Sequence, residues 1–271
     1  MDSSYYDHMK PLIILVHSSK TMRSPPTRNI PANLPQLRHK TSKLETYLKT
    51  LSILDIASSM RISTPLAEKT YQLIQGFNTT PAQQRPAVDS FLGDVYSGLQ
   101  SPKWTKSDRK YADDCLRIIS GLYGVLRPLD GIYPYRLEMG YKLPHEPYNN
   151  LYTFWGDSIV KTLPEEGTIV NLLSEEYARV IKSYVTPSRL VSPKFLTANN
   201  KKGEPATVAV HSKVARGAFA SWLVRNRTNN IDDLPAFDEI GYSYSKEAST
   251  TNVPVFICQE FGGKGLSLRL Q

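Results

Sequence analysis

Cysteine is scarce in this sequence of 271 residues, and long apolar runs are absent from it. Its two cysteines, Cys115 and Cys258, lie in no Cys-x-x-Cys pair and in no cluster with histidine, so neither a disulfide framework nor a structural zinc site is predicted. The longest strongly apolar run, Leu12–Val16, is too short for a membrane span or a signal peptide. We therefore expect a cytoplasmic protein with no metal, no cofactor and no membrane partner.

Several common ligand-binding motifs are also missing. The chain contains no GxxxxGK[ST], no GxGxxG, no HExxH and no GxSxG pattern. Their absence argues against the familiar nucleotide-binding, dinucleotide-binding, zinc-protease and α/β-hydrolase classes. Any enzymatic role therefore needs another template.

Positive charge is in excess, with 33 Lys and Arg residues against 25 Asp and Glu residues and a formal net charge of +8. Such a balance favours acidic partners such as nucleic acid or phosphates. Solubility alone is an equally ordinary reason for the same excess. Charge by itself leaves these two interpretations open.

Hydrophobic spacing predicts an alternation of strands and helices. The run Leu12–Val16 predicts a buried strand, and the spacing of Leu44, Leu48, Leu51 and Leu54 predicts one amphipathic helix. Caps and periodicity predict two more helices: one from Ser63 to near Gly76, and one capped by Ser107-Asp108 with Cys115, Ile118 and Leu122 on one face. An apolar segment follows Asn150. Two strands are each followed by a helix: Thr168–Leu173 by a helix from Ser174, and Thr207–Val210 by a helix to Arg227.

This order of elements predicts a mixed α/β fold in one compact domain, because no linker rich in Pro, Gly or Ser divides the chain. We expect a flexible N-terminal extension at residues 1–10, a single domain with a mixed central sheet at residues 11–261, and a tail at residues 262–271. The tail opens on Gly262-Gly263-Lys264-Gly265.

Two segments combine glycine or arginine with carboxylates. Asp94 follows Gly93, where backbone can approach a ligand closely and a carboxylate can act as a base, although Asp after Gly is also a common turn. In the block from Ser120 to Gly140, Arg127 and Arg136 can bind phosphate or carboxylate, with Asp130 and Glu138 orienting their guanidinium groups. The alternative is an internal network of ion pairs that only stabilises the fold.

Gly121 and Gly124 in the same block invite comparison with the helix-hairpin-helix motif of DNA-binding proteins. The match is weak, because two residues separate these glycines where that hairpin has one. Pro128 also limits a second helix.

The junction between the strand at Thr168–Leu173 and the following helix is a typical ligand position in open α/β sheets. Asn171, Ser174, Glu176 and Tyr177 are therefore candidate site residues. A helix start with acidic residues in its first turn also accounts for Ser174 without any function.

Lys213 and Arg216 lie three residues apart, on one face of a predicted helix and next to Gly217. Lys20, which follows the first strand, adds a third cation. Because cations at a helix start oppose the helix dipole, a bound anion is a reasonable explanation. A solvated surface is the alternative.

The segments FLGDVYSGL, SGLYGVLRPLDGIYPYRLEMG, LYTFWGD, NLLSEEY and KVARG occur in this order between about Leu12 and Phe261. In these segments the chain resembles the YaaA peroxide-stress protein family. The resemblance implies a single mixed α/β fold with a positively charged cleft. It also implies DNA binding and a role in limiting oxidative damage by keeping unincorporated iron low.

The resemblance carries over residue by residue to the following positions of this sequence: Lys20, Thr21, Gly93, Asp94, Arg127, Asp130, Arg136, Glu138, Trp155, Gly156, Asn171, Ser174, Glu176, Tyr177, Lys213, Arg216 and Gly217. The chain departs from the family at two places. His17-Ser18-Ser19 stands where Ser-Pro-Ala is usual, and Leu92 stands where Lys is common. The altered first loop puts the identity of the substrate or partner in question.

Two hypotheses follow. In the first, phosphates of double-stranded DNA bind to Lys20, Thr21, Arg127, Arg136, Asn171, Ser174, Lys213 and Arg216 with little sequence readout. In the second, an enzyme acts on a small anionic or nucleobase-containing substrate, with Asp94, Glu138, Glu176 and Tyr177 as candidate catalytic residues. A long open groove favours DNA and a deep narrow pocket favours the enzyme. The oligomeric state stays open.

Overall fold

A computed structural model describes residues 12–24, 33–77, 84–198 and 204–266. The predicted extension at residues 1–10 lies outside these ranges, as do residues 267–271 of the predicted tail. The described part of the tail begins at Gly262, whose N–H donates to the carbonyl oxygen of Ile240. One hydrophobic core runs through the described elements, which form the mixed α/β domain that the sequence predicts.

The secondary structure alternates short strands with helices. The strands are β1 (Ile13–His17), β2 (Arg85–Pro86), β3 (Leu116–Ser120), β4 (Gly124–Leu126), β5 (Gly131–Ile132), β6 (Ile169–Asn171), β7 (Leu190–Val191), β8 (Lys194–Thr197), β9 (Tyr242–Tyr244) and β10 (Val255–Cys258). The helices are α1 (Arg38–Lys49), α2 (Ile53–Met60), α3 (Thr64–Gln75), α4 (Ala87–Ser90), α5 (Asp94–Leu99), α6 (Lys106–Cys115), α7 (Leu151–Trp155), α8 (Glu175–Lys182) and α9 (Ala209–Arg225).

The main sheet has the strand order β4-β3-β1-β6-β7. Strand β1 is parallel to β3 and β6, β7 is parallel to β6, and β4 is antiparallel to β3. Ile14, Leu15 and Val16 are fully buried, as a central strand requires. Because parallel strands end at the same edge, the last residues of β1, β3 and β6 lie along one side of the sheet. This edge positions the candidate site.

The predicted single helix from Leu44 to Leu54 is wrong. The structure contains α1 and α2 instead, separated at Ser52. The Ser52 side chain accepts from the Asp55 N–H, and the Asp55 carboxylate accepts from the Ser52 N–H. This capping box starts a new helix at the point where leucine spacing alone predicts a continuation.

The predicted helix through Ile118 and Leu122 is also wrong, because α6 ends at Cys115 and β3 follows directly. Its cap is Thr105, two residues before the expected Ser107. Ile118 pairs with Val16 of the central strand, and this tertiary pairing outweighs the local helical spacing. Gly121 lies in the turn between β3 and β4, so this segment is a β-hairpin and not a helix-hairpin-helix motif.

The predicted strand at Thr207–Val210 does not form, and α9 begins at Ala209. Lys213 and Arg216 consequently lie beyond the first turn of α9, where the helix dipole has little influence on them. The other boundaries agree with the sequence: β1, the α3 cap at Ser63, the α7 cap at Asn150, and the junction of β6 with α8 at Ser174.

Helices α5 and α9 are in backbone contact at two glycines. A Cβ atom on Gly217 would lie 1.8 Å from the carbonyl oxygen of Val95, and one on Gly98 would lie 2.0 Å from that of Val214. No side chain fits at either position, so only glycine allows the two helices to approach this closely.

We predict that Gly217→Ala destabilises the protein by roughly 2–4 kcal/mol, because the added methyl group pushes the two helices apart. Urea unfolding followed by circular dichroism measures the change. Gly76→Ala is the matched control, since Gly76 ends α3 with an ordinary φ of −78°. We expect that change to stay within about 1 kcal/mol. Equal stabilities for the two variants would contradict the proposed role of the contact.

Candidate functional site

A cavity of about 380 Å³ opens at the carboxyl end of β1. We call it the central cavity, and its lining residues are His17, Ser18, Ser19, Lys20, Thr21, Leu92, Gly93, Asp94, Val95, Tyr96, Glu138 and Lys213. They come from the loop after β1, from the start of α5, from the segment after β5 and from α9. Segments that are far apart in the sequence therefore meet at this edge of the sheet.

His17 is the last residue of β1 and lies at the base of the central cavity. Its ring stacks on the Tyr177 ring with centroids 4.6 Å apart, and its Nδ1 lies 2.9 Å from the carbonyl oxygen of Ser18. Burial lowers the pKa of His17 to about 4 despite the Ser18 hydrogen bond, and the positive charges of Arg216 and Lys213 lower it further. The imidazole is therefore neutral at physiological pH.

Buried hydroxyl groups form a chain beneath the cavity. The Ser18 Oγ lies 3.2 Å from the Tyr177 hydroxyl, and Ser18 also bonds to Tyr135, whose hydroxyl lies 2.6 Å from the Ser120 Oγ. Burial raises the pKa of Tyr135 to about 12 and that of Tyr177 well above its usual value. Both phenols stay protonated at neutral pH, so Tyr177 can donate a hydrogen bond and cannot serve there as a base.

Lys20 and Glu138 form an ion pair at the rim, with the Lys20 Nζ 2.7 Å from the Glu138 Oε2. The hydrogen bond to Glu138 raises the pKa of Lys20. Arg136 supports the same loop, because its Nη1 donates to the Lys20 carbonyl oxygen at 3.4 Å and its guanidinium bonds to the Tyr141 hydroxyl. Arg136 thus holds the Lys20 loop in place.

Glu176 lies in the first turn of α8 and faces a neighbouring cavity. Its Oε1 accepts the Gly140 N–H at 2.7 Å, and a Cβ on Gly140 would lie 3.0 Å from the Glu176 carboxyl group. Burial raises the pKa of Glu176, and the negative charge of Glu138 raises it further. The two carboxylates interact electrostatically across the boundary between the cavities.

The α9 cations differ from Lys20 in having no carboxylate partner within the described residues. Lys213 is exposed and lines the central cavity, while Arg216 is half-buried. Burial lowers the pKa of Arg216, although the Glu175 carboxylate raises it. Across residues 12–24, 33–77, 84–198 and 204–266, neither side chain forms a salt bridge. Lys213 therefore presents an unpaired positive charge at the central cavity, whereas Arg216 lies behind it within the field of Glu175.

Arg127 does not join these cations. It follows β4, whose antiparallel pairing with β3 places it at the opposite end of the sheet. Its Nε and Nη2 donate to the Asp130 Oδ1 at 3.1 and 3.0 Å, and the Asp130 side chain is fully buried. Of the two interpretations of Arg127, the structure therefore shows the internal ion pair.

Three further candidates have local bonding roles. The Asn171 Nδ2 donates to the Ser192 Oγ at 3.1 Å, and the Asn171 Oδ1 accepts the Leu173 N–H. Ser174 caps α8 without a side-chain cap bond. Thr21 lies on the exposed wall of the central cavity and accepts the Leu92 N–H through its carbonyl oxygen.

Asp94 lies in the central cavity as expected from the Gly93-Asp94 pair. It is buried and is the first residue of α5. Gly93 precedes it with a φ of 111°, a backbone conformation that glycine adopts readily and other residues rarely do. Gly93 therefore turns the chain so that α5 begins with Asp94 in the wall of the cavity.

Two larger cavities adjoin the central one. The α4 cavity, of about 920 Å³, shares Leu92, Gly93 and Tyr96 with it, and the α2 cavity, of about 740 Å³, shares Glu138. Cations line both: Arg23, Arg85 and Lys103 in the α4 cavity, and Arg61 and Lys142 in the α2 cavity.

Sequence reasoning missed two features of this region. From the sequence, His17 is named only as a departure from the family pattern and not as a site residue. A polar residue at the end of a fully buried strand could have predicted its place at the site. The cations Arg23, Arg61, Arg85, Lys103 and Lys142 were not predicted, because isolated basic residues on separate elements have no shared sequence pattern.

The described ranges contain no group of three His, Cys, Asp or Glu side chains arranged to hold a metal ion. No helix in the same ranges is long and apolar enough to cross a membrane.

Comparison with known proteins identifies the family. The sequence model of a family described as peroxide stress protein YaaA matches residues 12–248. A UPF0246 protein of Salinispora tropica is 52% identical over 258 residues, covering 95% of this chain and 98% of the relative. UPF0246 proteins of Marinomonas sp. and Clostridium perfringens are 41% and 37% identical, over 91% and 90% of this chain and 96% and 99% of their own lengths. The chain therefore belongs to the YaaA peroxide stress protein family.

Proposed function

We propose that the three adjoining cavities form a basic cleft that binds the phosphates of double-stranded DNA. In this proposal the protein acts in the response to hydroperoxides and limits iron-dependent damage. The observation that carries the proposal is the set of cavity-lining cations without a salt-bridge partner among the described residues: Arg23, Arg61, Lys103, Lys142 and Lys213. Arg216, three residues after Lys213 on α9, is half-buried behind this lining and likewise has no salt bridge there.

Unpaired cations support phosphate binding for an energetic reason. A cation already bonded to a carboxylate must break that bond before it contacts a phosphate, whereas Lys213 and Arg216 need not do so. Each phosphate neutralised by Lys or Arg releases condensed counterions, which provides a favourable, salt-dependent free energy.

The distribution of these cations favours an extended polyanion. They occur in all three cavities and are not gathered around one point, so successive phosphates of a backbone match them better than one small anion does. Phosphate contacts fix the position of DNA without reading its sequence. We therefore expect binding with little sequence preference.

A specific observation favours an enzyme as the second candidate. Glu138 and Glu176 both line the α2 cavity, and burial together with the Glu138 charge raises the pKa of Glu176. A carboxyl group with a raised pKa beside a second carboxyl group is a common arrangement for general acid and base catalysis. The substrate in this case is small and anionic or contains a nucleobase.

We predict that Lys213→Ala combined with Arg216→Ala weakens duplex DNA binding by about tenfold or more, since two phosphate contacts are lost. Fluorescence anisotropy against salt concentration measures the affinity. The slope of log K against log salt should become less steep by about two, one for each contact.

Lys161→Ala is the matched control, because Lys161 is exposed and pairs with Asp157 outside the cleft. Its affinity and slope should equal those of the unmodified protein. The DNA proposal fails if the unmodified protein binds no duplex at low salt, or binds with an affinity that salt does not change.

The enzyme candidate has a separate test. Glu176→Gln keeps an oxygen that can accept the Gly140 N–H, so the fold should persist while acid and base chemistry is lost. If the protein is an enzyme, this variant should lose its protection of cells against hydroperoxide and keep its DNA affinity. Full protection by both Glu176→Gln and Glu138→Gln would eliminate the enzyme candidate. Survival assays at matched protein levels give the readout.

A further inference from the structure

His17 has an unused hydrogen-bond acceptor at the base of the central cavity. Its Nδ1 lies 2.9 Å from the Ser18 carbonyl oxygen, and a carbonyl oxygen can only accept, so the ring hydrogen is on Nδ1. The Nε2 of the neutral ring then carries a lone pair. This atom is enclosed and has no hydrogen-bond partner among the residues that the structure describes.

An enclosed nitrogen without a partner is uncommon in proteins and carries a desolvation cost. The titratable and charged groups in contact with the ring or acting on its charge include Tyr96 on α5, Tyr177 on α8, and Lys213 and Arg216 on α9. Lys20, Asp94 and Glu138 line the same cavity, and Glu138 is paired with Lys20. The Tyr96 hydroxyl donates to the His17 carbonyl oxygen and the Tyr177 ring covers one imidazole face. Lys213 and Arg216 have long side chains that can rearrange around a ligand by changing rotamer.

We propose that His17, Lys213 and Arg216 form a subsite for a phosphate that still carries a hydrogen. The two cations bind the negative charge, and the His17 Nε2 accepts a hydrogen bond from the phosphate O–H. The ligand class is inorganic phosphate or the singly protonated form of a phosphate monoester. The inference rests on the anion-binding function proposed for the same cleft.

This arrangement discriminates between anions of similar size. Sulfate near neutral pH has no hydrogen, so at the subsite it would place an oxygen lone pair against the Nε2 lone pair. An internal phosphodiester of DNA also has no hydrogen, so in the proposed function it contacts Lys213 and Arg216 without reaching Nε2. Inorganic phosphate keeps at least one O–H at neutral pH, and a monoester is largely protonated at its second ionisation only near or below pH about 6. A site with an unpaired acceptor disfavours ligands that cannot donate to it.

The test is a calorimetric titration of the full-length protein with inorganic phosphate and with sulfate at pH 6.5 and matched ionic strength. We expect phosphate to bind roughly tenfold tighter or more. In His17→Ser the hydroxyl can donate as well as accept, so the ratio of the phosphate affinity to the sulfate affinity should fall toward one. His39→Ser, at an exposed histidine outside the central cavity, should keep the ratio.

Lys213→Ala and Arg216→Ala should weaken the binding of both ions, because each substitution removes a cationic donor from which phosphate and sulfate oxygens can both accept. Equal affinity for phosphate and sulfate in the unmodified protein would overturn the subsite, as would binding of neither ion.

A pH series on the unmodified protein provides a second measurement that needs no variant. The pKa of His17 is lowered to about 4, so the ring gains a proton as the pH falls toward that value and Nε2 becomes a donor. Sulfate affinity should then rise relative to phosphate affinity. A ratio that stays constant as the pH falls toward about 4, over a range in which neither free ion changes its own protonation, would contradict the proposal.

The source of the phosphate is distinguished with two duplexes at pH 6, one with a 5′-phosphate and one with a 5′-hydroxyl. Tighter binding of the phosphorylated duplex assigns the subsite to a DNA end, and equal binding assigns it to free phosphate. If the phosphate-to-sulfate ratio holds while no duplex binds, the DNA proposal fails and the subsite stands. If duplex binds and the phosphate-to-sulfate ratio is one, the DNA proposal stands and the subsite fails.

Discussion

The backbone contact between α5 and α9 determines where the charges of the central cavity lie. With Gly98 and Gly217 at the crossing, neither helix can shift along the other without a clash. Asp94 opens α5 and Lys213 lies one turn before Gly217 on α9, so both side chains are carried by the same contact. A site on two helices locked in this way is held more firmly than one on loops.

Some charged groups at the central cavity are paired with an opposite charge and others are not. Lys20 and Glu138 compensate each other, while Lys213 and Arg216 leave a net positive field beside the buried ring of His17. Burial, reinforced by that field, lowers the pKa of His17 and keeps the imidazole neutral. An imidazolium at this position would add a third like charge, whereas an anion would relieve the repulsion. The electrostatics of the central cavity therefore favour a negative ligand.

The sequence predicts β1, β6 and the start of α8 correctly, but it assigns β3 to a helix and misses the break between α1 and α2. The continuous apolar run of β1 has one interpretation, and the capped start of α8 has a strong local signal. Ile118 shows the limit, because a β-branched residue at helical spacing is assigned correctly only when its partner Val16 is known. Ser52 shows another, since a capping box interrupts a leucine pattern that continues through it.

The same contrast holds for the site residues. Lys20, Glu138, Glu176 and Lys213 come from conspicuous motifs, and the structure brings them to adjoining cavities. Arg127 comes from an equally conspicuous motif and lies at the far end of the sheet, because antiparallel β4 returns the chain there. A stretch of sequence that is rich in charged residues does not predict at which end of the sheet its side chains lie.

Glu138 borders both the central cavity and the α2 cavity. Because this carboxylate is shared, a ligand bound in one cavity changes the electrostatic potential in the other. A ligand that draws Lys20 away from Glu138 leaves the Glu138 charge uncompensated. The negative charge of Glu138 then raises the pKa of Glu176 more strongly. Thermodynamic linkage requires the effect to be reciprocal, so protonation of Glu176 must in turn change how strongly the central cavity holds its ligand.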